Sequence, residues 1–294
     1  MTLALIAGAG ELPALIAERQ ERPPVVAALA GFAPDGLTPD ITFRIEHLGS
    51  TLAELKSRGI TQICMVGRVA RPAVDPTAID AATRPLIPKL MAAMAQGDDG
   101  ALRGLIAVIE GAGFAVLGAH SLAGDLLPAP GVLAGTLTDG AQADAARGAQ
   151  IVTAMGAADI GQACVVARGQ ALAVEALPGT DWMLRSLLVS GGPAPSDLSD
   201  PLGMVSDWLS GPAAPQTKPT RDPALPPGGI LYKAPKPGQE LRVDMPTIGP
   251  DTLARAAEAG LDGVVVAAGG VLVLNAPRCA EIAERHGMLL WVRP

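Results

Sequence analysis

Residues 230–249, ILYKAPKPGQELRVDMPTIG, gather three cations (Lys233, Lys236 and Arg242), two carboxylates (Glu240 and Asp244) and three prolines within twenty positions. A helix pattern follows directly from Pro250. Loops held by a rigid scaffold are where binding and catalytic groups concentrate. Cations beside carboxylates suit an anionic substrate handled with a metal ion, such as a phosphate ester. The cations offset phosphate charge, and a carboxylate ligates a hard cation or orients water. The same composition also describes a solvated surface loop.

Smaller groups of the same kind recur along the chain. Gly8-Ala9-Gly10 follows an apolar run and opens a helical pattern. Glycines there admit a phosphate to the backbone, and the helix N-terminus offers unpaired N–H groups. Pro13 stands where a dinucleotide fingerprint has its third glycine, and no acidic residue ends the second strand. A mononucleotide or UDP therefore fits better than a nicotinamide cofactor, although the glycines also serve a plain tight turn. Arg68 and Arg71, in GRVARP behind the strand 60–66, are placed to grip a diphosphate with guanidinium forks or to stand as surface charge. Asp98 and Asp99 precede a helix, which either can N-cap, and the pair also suits a cation or a ribose hydroxyl. His120 lies at the end of the strand 114–118. Asp159, Gln162, Glu175, Gly179, Thr180 and Asp181 form a polar set around a strand pair, with Asp181 a further N-cap candidate. His47 and His286 belong to no motif and read as surface residues. No GxSxG elbow, Walker motif or HExxH is present, so the inventory best matches metal-assisted hydrolysis by loop carboxylates, with Mg²⁺ as the hard cation.

The elements that must position these groups alternate. Strands are expected at 3–7, 25–29, 60–66 and 114–118, with helices at 11–19, 50–58, 86–95 and 101–111 between them. That order predicts an α/β protein whose N-terminal part is a Rossmann-like parallel sheet covered on both faces. LPAPG at 127–131 interrupts the pattern and places a boundary between domains 1–130 and 131–294. The second part reads as mixed α/β. It has a long alanine-rich helix at 139–154, a strand pair at 162–167 and 171–176, and a helix at 181–188. Further strands are expected at 230–233, 263–267, 271–274 and 288–292, and further helices at 250–259 and 277–286. Residues 191–229, rich in Pro, Gly, Ser and Ala, read as a mobile surface insert with one short helix at 202–209.

The bulk numbers agree. A chain of 294 residues, 49% of them hydrophobic, affords two domains and a sizeable core. Only 2% are aromatic, so small side chains must pack closely. A net charge of −7 argues against a general nucleic-acid binder. Cys64, Cys164 and Cys279 are far apart and form no CxxC pair, which disfavours zinc or disulfides and fits a reduced, intracellular setting. The N-terminus lacks the basic region of a signal peptide, and no apolar run reaches about 18 residues.

Taken together and in order, LIAGAGELP, VGRVARP, GDDGALR, GAHSL, DIGQACVV, AVEALPGTD and KAPKPGQELRVDMPTIG resemble the LpxI-type UDP-2,3-diacylglucosamine pyrophosphatase family. The last two segments are the most specific. The resemblance implies Mg²⁺-dependent hydrolysis of UDP-2,3-diacylglucosamine to UMP and 2,3-diacylglucosamine 1-phosphate (lipid X), a step of lipid A biosynthesis in Gram-negative bacteria. It implies a UDP-binding N-terminal domain and a lipid-X-binding C-terminal one. The family's catalytic aspartate falls on Asp244, as metal ligand or as the group that orients water. Gly8, Gly10, Arg68, Arg71, Asp98, Asp99, His120, Thr180, Lys233, Lys236 and Thr247 are then expected to bind substrate. The protein is expected in the cytoplasm, touching the inner-membrane surface transiently. Nothing in the sequence fixes an oligomeric state. The competing reading is a non-catalytic UDP-sugar or nucleotide-binding regulator, which would need the glycine turn but not Asp244.

Overall fold

The structure, a computed structural model, describes residues 2–70, 74–95, 97–189 and 219–294. Its first half holds strands β1 (Leu3–Ala7), β2 (Val25–Leu29), β3 (Ile41–Phe43), β4 (Gln62–Val66) and β5 (Ala115–Leu117). They form one sheet in the order β3-β2-β1-β4-β5, and every pairing is parallel. Such strands are buried on both faces and so read as continuous apolar runs, as LALIA and QICMV do. The covering helices are α1 (Leu12–Glu18), α2 (Leu48–Ser57), α3 (Ile87–Met94) and α4 (Asp98–Gly111), and the short α5 (Ala119–Leu122), which carries His120, follows β5. Leu52, Leu55, Ile63, Ile106, Ile109 and Phe114 fill one core between sheet and helices. The strand order reverses at β1 and β4, and the crevice beyond the carboxyl ends of such a pair is where open α/β sheets bind ligands.

The two chain segments leaving β1 and β4 touch backbone to backbone. Gly8 donates its N–H to the Val66 carbonyl at 2.8 Å, and Ala9 and Arg68 exchange hydrogen bonds of 2.9 and 2.8 Å. A Cβ on Gly8 would lie 2.5 Å from the Arg68 carbonyl oxygen. One on Gly67, whose φ is +95°, would lie 2.5 Å from that of Gly8. Glycine is required at both positions by this crossing.

The second half is built on a mixed six-stranded sheet. Its strands are β6 (Gly131–Ala134), β7 (Ala163–Ala167), β8 (Gln170–Val174), β11 (Ile230–Lys233), β13 (Gly263–Ala267) and β15 (Leu289–Arg293). The order is β6-β15-β13-β11-β7-β8, parallel among β11, β13 and β15 and antiparallel elsewhere. Helix α6 (Asp139–Ala157) covers one face, where Val152 packs with Tyr232 and Trp291. Helices α7 (Thr180–Arg185), α8 (Pro250–Glu258) and α9 (Ala276–Arg285) cover the other, around Met183, Leu253 and Ile282. Leu272 and Leu274 pack into one buried cluster with Leu5, Ile16, Cys64 and Val66, and Val243 packs against the core of the first half. The second half therefore reaches across to the first both at residues 272–274 and through the charged loop itself.

Several local expectations are corrected. Strands β3 and β6 are too short to show alternation or a sustained apolar run, and the sequence does not mark them. The apolar run at 271–274 does not join the large sheet: β14 (Leu272–Val273) pairs in parallel with β12 (Thr247–Ile248). The helix expected to 188 ends at Arg185, and β9 (Leu188–Val189) pairs antiparallel with β10 (Thr220–Arg221). Arg221 donates to the carbonyls of Ala259 and Pro226 at 2.7 Å each, so the far end of the supposed mobile insert is tied to the scaffold. The short helix expected at 202–209 lies outside the described residues. All three cysteines are free and buried, and burial pushes each thiol up to about 12. Among the described residues no helix is long and apolar enough to cross a membrane.

Candidate active site

The loop that leaves the central strand β11 runs over the first half and carries most of the charge. Its strand end, Lys233, is only 6% exposed, because Ile230–Lys233 lies in the middle of the sheet. The Lys233 ammonium donates to Thr180 Oγ1 at 2.9 Å, and that hydroxyl donates to Glu175 Oε1 at 2.5 Å. Glu175 Oε2 accepts the Gln162 N–H at 3.0 Å. Burial pushes Lys233 below its ordinary pKa, against the opposing charges of Glu175, Asp244 and Asp181.

Three residues on, Lys236 pairs with Asp159 at 2.5 Å and remains largely buried. Gln239 follows. Its Oε1 accepts the Lys236 N–H at 2.7 Å, and its Nε2 lies 2.6 Å from Asp244 Oδ2. Asp244 is half-buried. Burial raises its pKa, the Gln239 hydrogen bond and Lys236 act the other way, and the like charge of Asp99 adds to the rise.

Helix α4 brings its first turn to this loop. Asp99 Oδ1 accepts the Glu240 N–H at 3.1 Å, and Oδ2 accepts Arg103 Nε at 2.7 Å. Burial opposes ionisation of Asp99, but these two bonds outweigh it and hold the carboxyl below its ordinary range. Arg103 also donates to the Gly238 carbonyl. An open cleft of about 270 Å³ results, lined by Asp99, Arg103, Asp159, Lys236, Pro237 and Gln239. Farther along, Glu240 is clasped by Arg242, which also reaches Glu110 at 2.9 Å.

The expected N-caps are corrected. Gly97, with φ +93°, caps α4, so Asp98 and Asp99 both fall in its first turn. Gly179, with φ +84°, caps α7, leaving Asp181 in the first turn. Only glycine accepts such a backbone without strain.

Of the residues marked by sequence, Asp99 and Lys236 line the cleft, Asp244 stands next to it behind Gln239, and Lys233 and Thr180 form the support farther in. Gly8, Gly10 and Arg68 lie apart from these, beyond β1 and β4. Arg68 is exposed, its Nε 3.9 Å from where a side chain on Gly10 would begin, and it forms no ion pair among the described residues. The charged loop links the two groups. Arg242 Cα passes 3.1 Å from a Cβ placed on Gly118, beside the His120 ring, whose buried Nδ1 has no hydrogen-bond partner. Glu11, next to Gly10, comes within 3.7 Å of a Cβ placed on Gly249. Thr247 donates to the Met245 carbonyl at 3.1 Å, so it steadies the loop's last turn. Arg71 and the Asp98 side chain lie outside the described residues.

Sequence reasoning missed Arg103 and Gln239. Arg103 sits at i+4 from Asp99 on a helix, a spacing at which opposite charges meet, and was legible on that ground. Gln239, a neutral amide in a run of charges, gave no such signal.

Among the described residues no group of three or more His, Cys, Asp or Glu side chains is gathered for a metal ion. The charge of Asp99 is felt at Asp244. Mg²⁺ keeps several waters and takes one or two carboxylates together with substrate phosphates. The donor set fits that mode and not an all-protein cage.

Fold and site thus define a two-part α/β protein with a Rossmann-like sheet and a cleft of mixed charge suited to an anionic ligand. Family profiles described as the LpxI N-terminal domain and the LpxI C-terminal domain match residues 2–126 and residues 129–194 with 216–291. The chain belongs to the LpxI family. The UDP-2,3-diacylglucosamine pyrophosphatase LpxI of Caulobacter vibrioides is similar to it, 35% identical over 296 residues, which cover 98% of this chain and 96% of that protein. The C-terminal match breaks between 194 and 216, inside the Pro- and Gly-rich stretch 191–229.

Proposed function

We propose that the protein hydrolyses UDP-2,3-diacylglucosamine to UMP and 2,3-diacylglucosamine 1-phosphate, the pyrophosphatase step of lipid A biosynthesis. Family membership and similarity along nearly the whole chain to a relative of that activity support the reaction. The observation that carries the site is Asp244, half-buried beside a cleft between the two halves and flanked by Lys236 and Asp99.

In this reading residues 1–130 hold uridine and the diphosphate through the Gly8–Gly10 turn and the loop of Arg68 and Arg71. Residues 131–294 take the acylated glucosamine. The diphosphate lies between, where Lys236 offsets its charge at the cleft and Lys233 does so from below. Asp244 is the catalytic carboxylate, at the metal or on the attacking water, and a carboxylate whose pKa is raised by burial is the better proton acceptor. Water adds to one phosphorus, the bond from that phosphorus to the bridging oxygen breaks, and the departing phosphate keeps the electron pair. Asp99 and Asp244 would hold Mg²⁺, which supplies charge neutralisation and polarises a P–O bond. His120 and Thr247 border the same loop and help shape the substrate channel. The enzyme works in the cytoplasm and meets its diacylated substrate at the inner-membrane surface.

The test is UMP release from UDP-2,3-diacylglucosamine with Mg²⁺ and with EDTA, for wild type and Asp244→Ala. Release that needs both the metal and Asp244 is expected, with substrate binding kept in the variant. Near wild-type turnover by Asp244→Ala would remove the assignment. Tight UDP-sugar binding without any turnover would point to a regulator.

A further inference from the structure

Gln239 is uncharged and is not among the residues that mark the segment 230–249 as a site, yet its amide stands at the centre of the hydrogen bonds around Asp244. Nε2 lies 2.6 Å from Asp244 Oδ2, 2.6 Å from the Asp244 carbonyl oxygen and 3.0 Å from Gln162 Oε1, while Oε1 accepts the Lys236 N–H at 2.7 Å. The chemistry of these partners fixes the amide's orientation. Flipped, it would set its oxygen against three other oxygens and its NH₂ against an N–H donor. Asp244 is therefore held at two points, by its side chain and by its carbonyl.

The amide is itself braced. Gln162 donates its N–H to Glu175 at 3.0 Å and accepts the Ala234 N–H at 3.0 Å, so its backbone is tied on both sides. Glu175 is anchored by the Thr180 hydroxyl, and Thr180 by the buried Lys233. A continuous chain of contacts runs from Lys233 through Thr180, Glu175, Gln162 and Gln239 to Asp244. It passes through two amides and a backbone N–H, which makes it a rigid support and not a proton wire.

We propose that Gln239 is the positioning residue for Asp244, fixing the direction of its carboxylate, with Gln162 fixing Gln239. This rests on the reading of Asp244 as the catalytic carboxylate. Without the amide, the repulsion of Asp99 is opposed only through space, by Lys236, whose ammonium is engaged with Asp159, and by the buried Lys233, which donates to Thr180. A carboxylate displaced by about 1 Å from its productive place costs about 100-fold in rate.

The experiment uses the full chain with Gln239→Ala and with Gln239→Glu, which has the same size and no NH₂ to donate. Steady-state UMP release with Mg²⁺ is expected to show kcat reduced about 10- to 100-fold in both, with KM within about threefold of wild type. Thermal melting in EDTA of Gln239→Ala, Asp244→Ala and the double variant should show a loss in Tm smaller than the sum of the two single losses. A kcat near wild type in Gln239→Glu overturns the proposal. So does a raised KM at unchanged kcat, which would make Gln239 a substrate contact, and so do additive Tm losses. If Gln239→Ala does not fold, the isosteric variant carries the kinetic comparison and the melting cycle is run with it. If wild type itself releases no UMP, the proposed reaction fails, and the melting cycle alone decides whether Gln239 holds Asp244.

Discussion

The backbone N–H of Glu240 reaches 3.1 Å across to Asp99 Oδ1, joining the first turn of a helix on the Rossmann-like sheet to the charged loop of the other half. The same carboxylate holds Arg103, which in turn donates to the Gly238 carbonyl. Asp99→Ala removes both anchors and strands the Glu240 N–H. It is expected to cost about 1–2 kcal/mol at neutral pH. The folded-state pKa of Asp99 is depressed, so its contribution is present above the unfolded value and is lost as pH falls through the folded one. Urea unfolding at pH 7 and at pH 3 should therefore show the variant's deficit shrinking in acid. A deficit that is equal at both values would mean that the charge of Asp99 does not matter.

How much of this was legible in the sequence depends on length scale. Leu3–Ala7 and Gln62–Val66 are apolar runs bounded by glycines, and a parallel sheet with helices follows from such runs alternating with 3.6-residue periods. Ile41–Phe43 and Thr247–Ile248 are three and two residues long, and only their neighbours make them strands. Within the site, charge was the readable signal for Lys236, Asp99 and the two loop carboxylates Glu240 and Asp244, and only the family resemblance separated Asp244 from Glu240. Lys233 carried the same signal with a different outcome, because its strand is central and takes the side chain out of solvent. Gln239 was invisible because its importance lies in what it touches, which no local pattern encodes.

The crossing of the segments after β1 and β4 yields a second prediction. Gly67→Ala places a methyl 2.5 Å from the Gly8 carbonyl oxygen and forces alanine into φ +95°. Overpacking and left-handed strain together are expected to cost about 3 kcal/mol. Gly59, also at positive φ but with nothing within 4 Å, is the control: Gly59→Ala should lose only the strain, about 1–2 kcal/mol. Equal losses in denaturant melts of the two variants would contradict the close approach.

The buried Lys233 makes a third. Its folded pKa lies below the unfolded one, so the unfolded chain binds more protons between the two values and stability rises with pH there. Its Nζ donates to Thr180 Oγ1, whose hydroxyl donates to Glu175. Lys233→Met leaves buried Glu175 uncompensated and is expected to cost about 3 kcal/mol. Adding Glu175→Gln should return about 1–2 kcal/mol, because the stranded charge is then gone. Urea melts of the single and double variants decide it. A double variant weaker than Lys233→Met alone would show that Glu175 acts through hydrogen bonds and not through charge.

Arg242 sits between two carboxylates of very different burial, which separates a structural ion pair from a surface one. Glu240 is 14% exposed, and hydrogen bonds from Arg242 lower its pKa to about 2 against the opposing effect of burial. Glu110 is 46% exposed. Exposed pairs are screened and contribute about 0–1 kcal/mol, so Glu110→Gln should leave stability nearly unchanged at every pH. Glu240→Gln should destabilise the fold clearly at pH 7. Because the folded pKa of Glu240 is depressed, the difference from wild type should be full above the unfolded carboxyl pKa, near 4.5, and should vanish as pH falls toward about 2. Acid titration of the unfolding midpoint, run on both variants, reads this directly. A pH-independent gap for Glu240→Gln would assign its effect to lost packing, and a large effect of Glu110→Gln would make the outer pair part of the latch between the two halves.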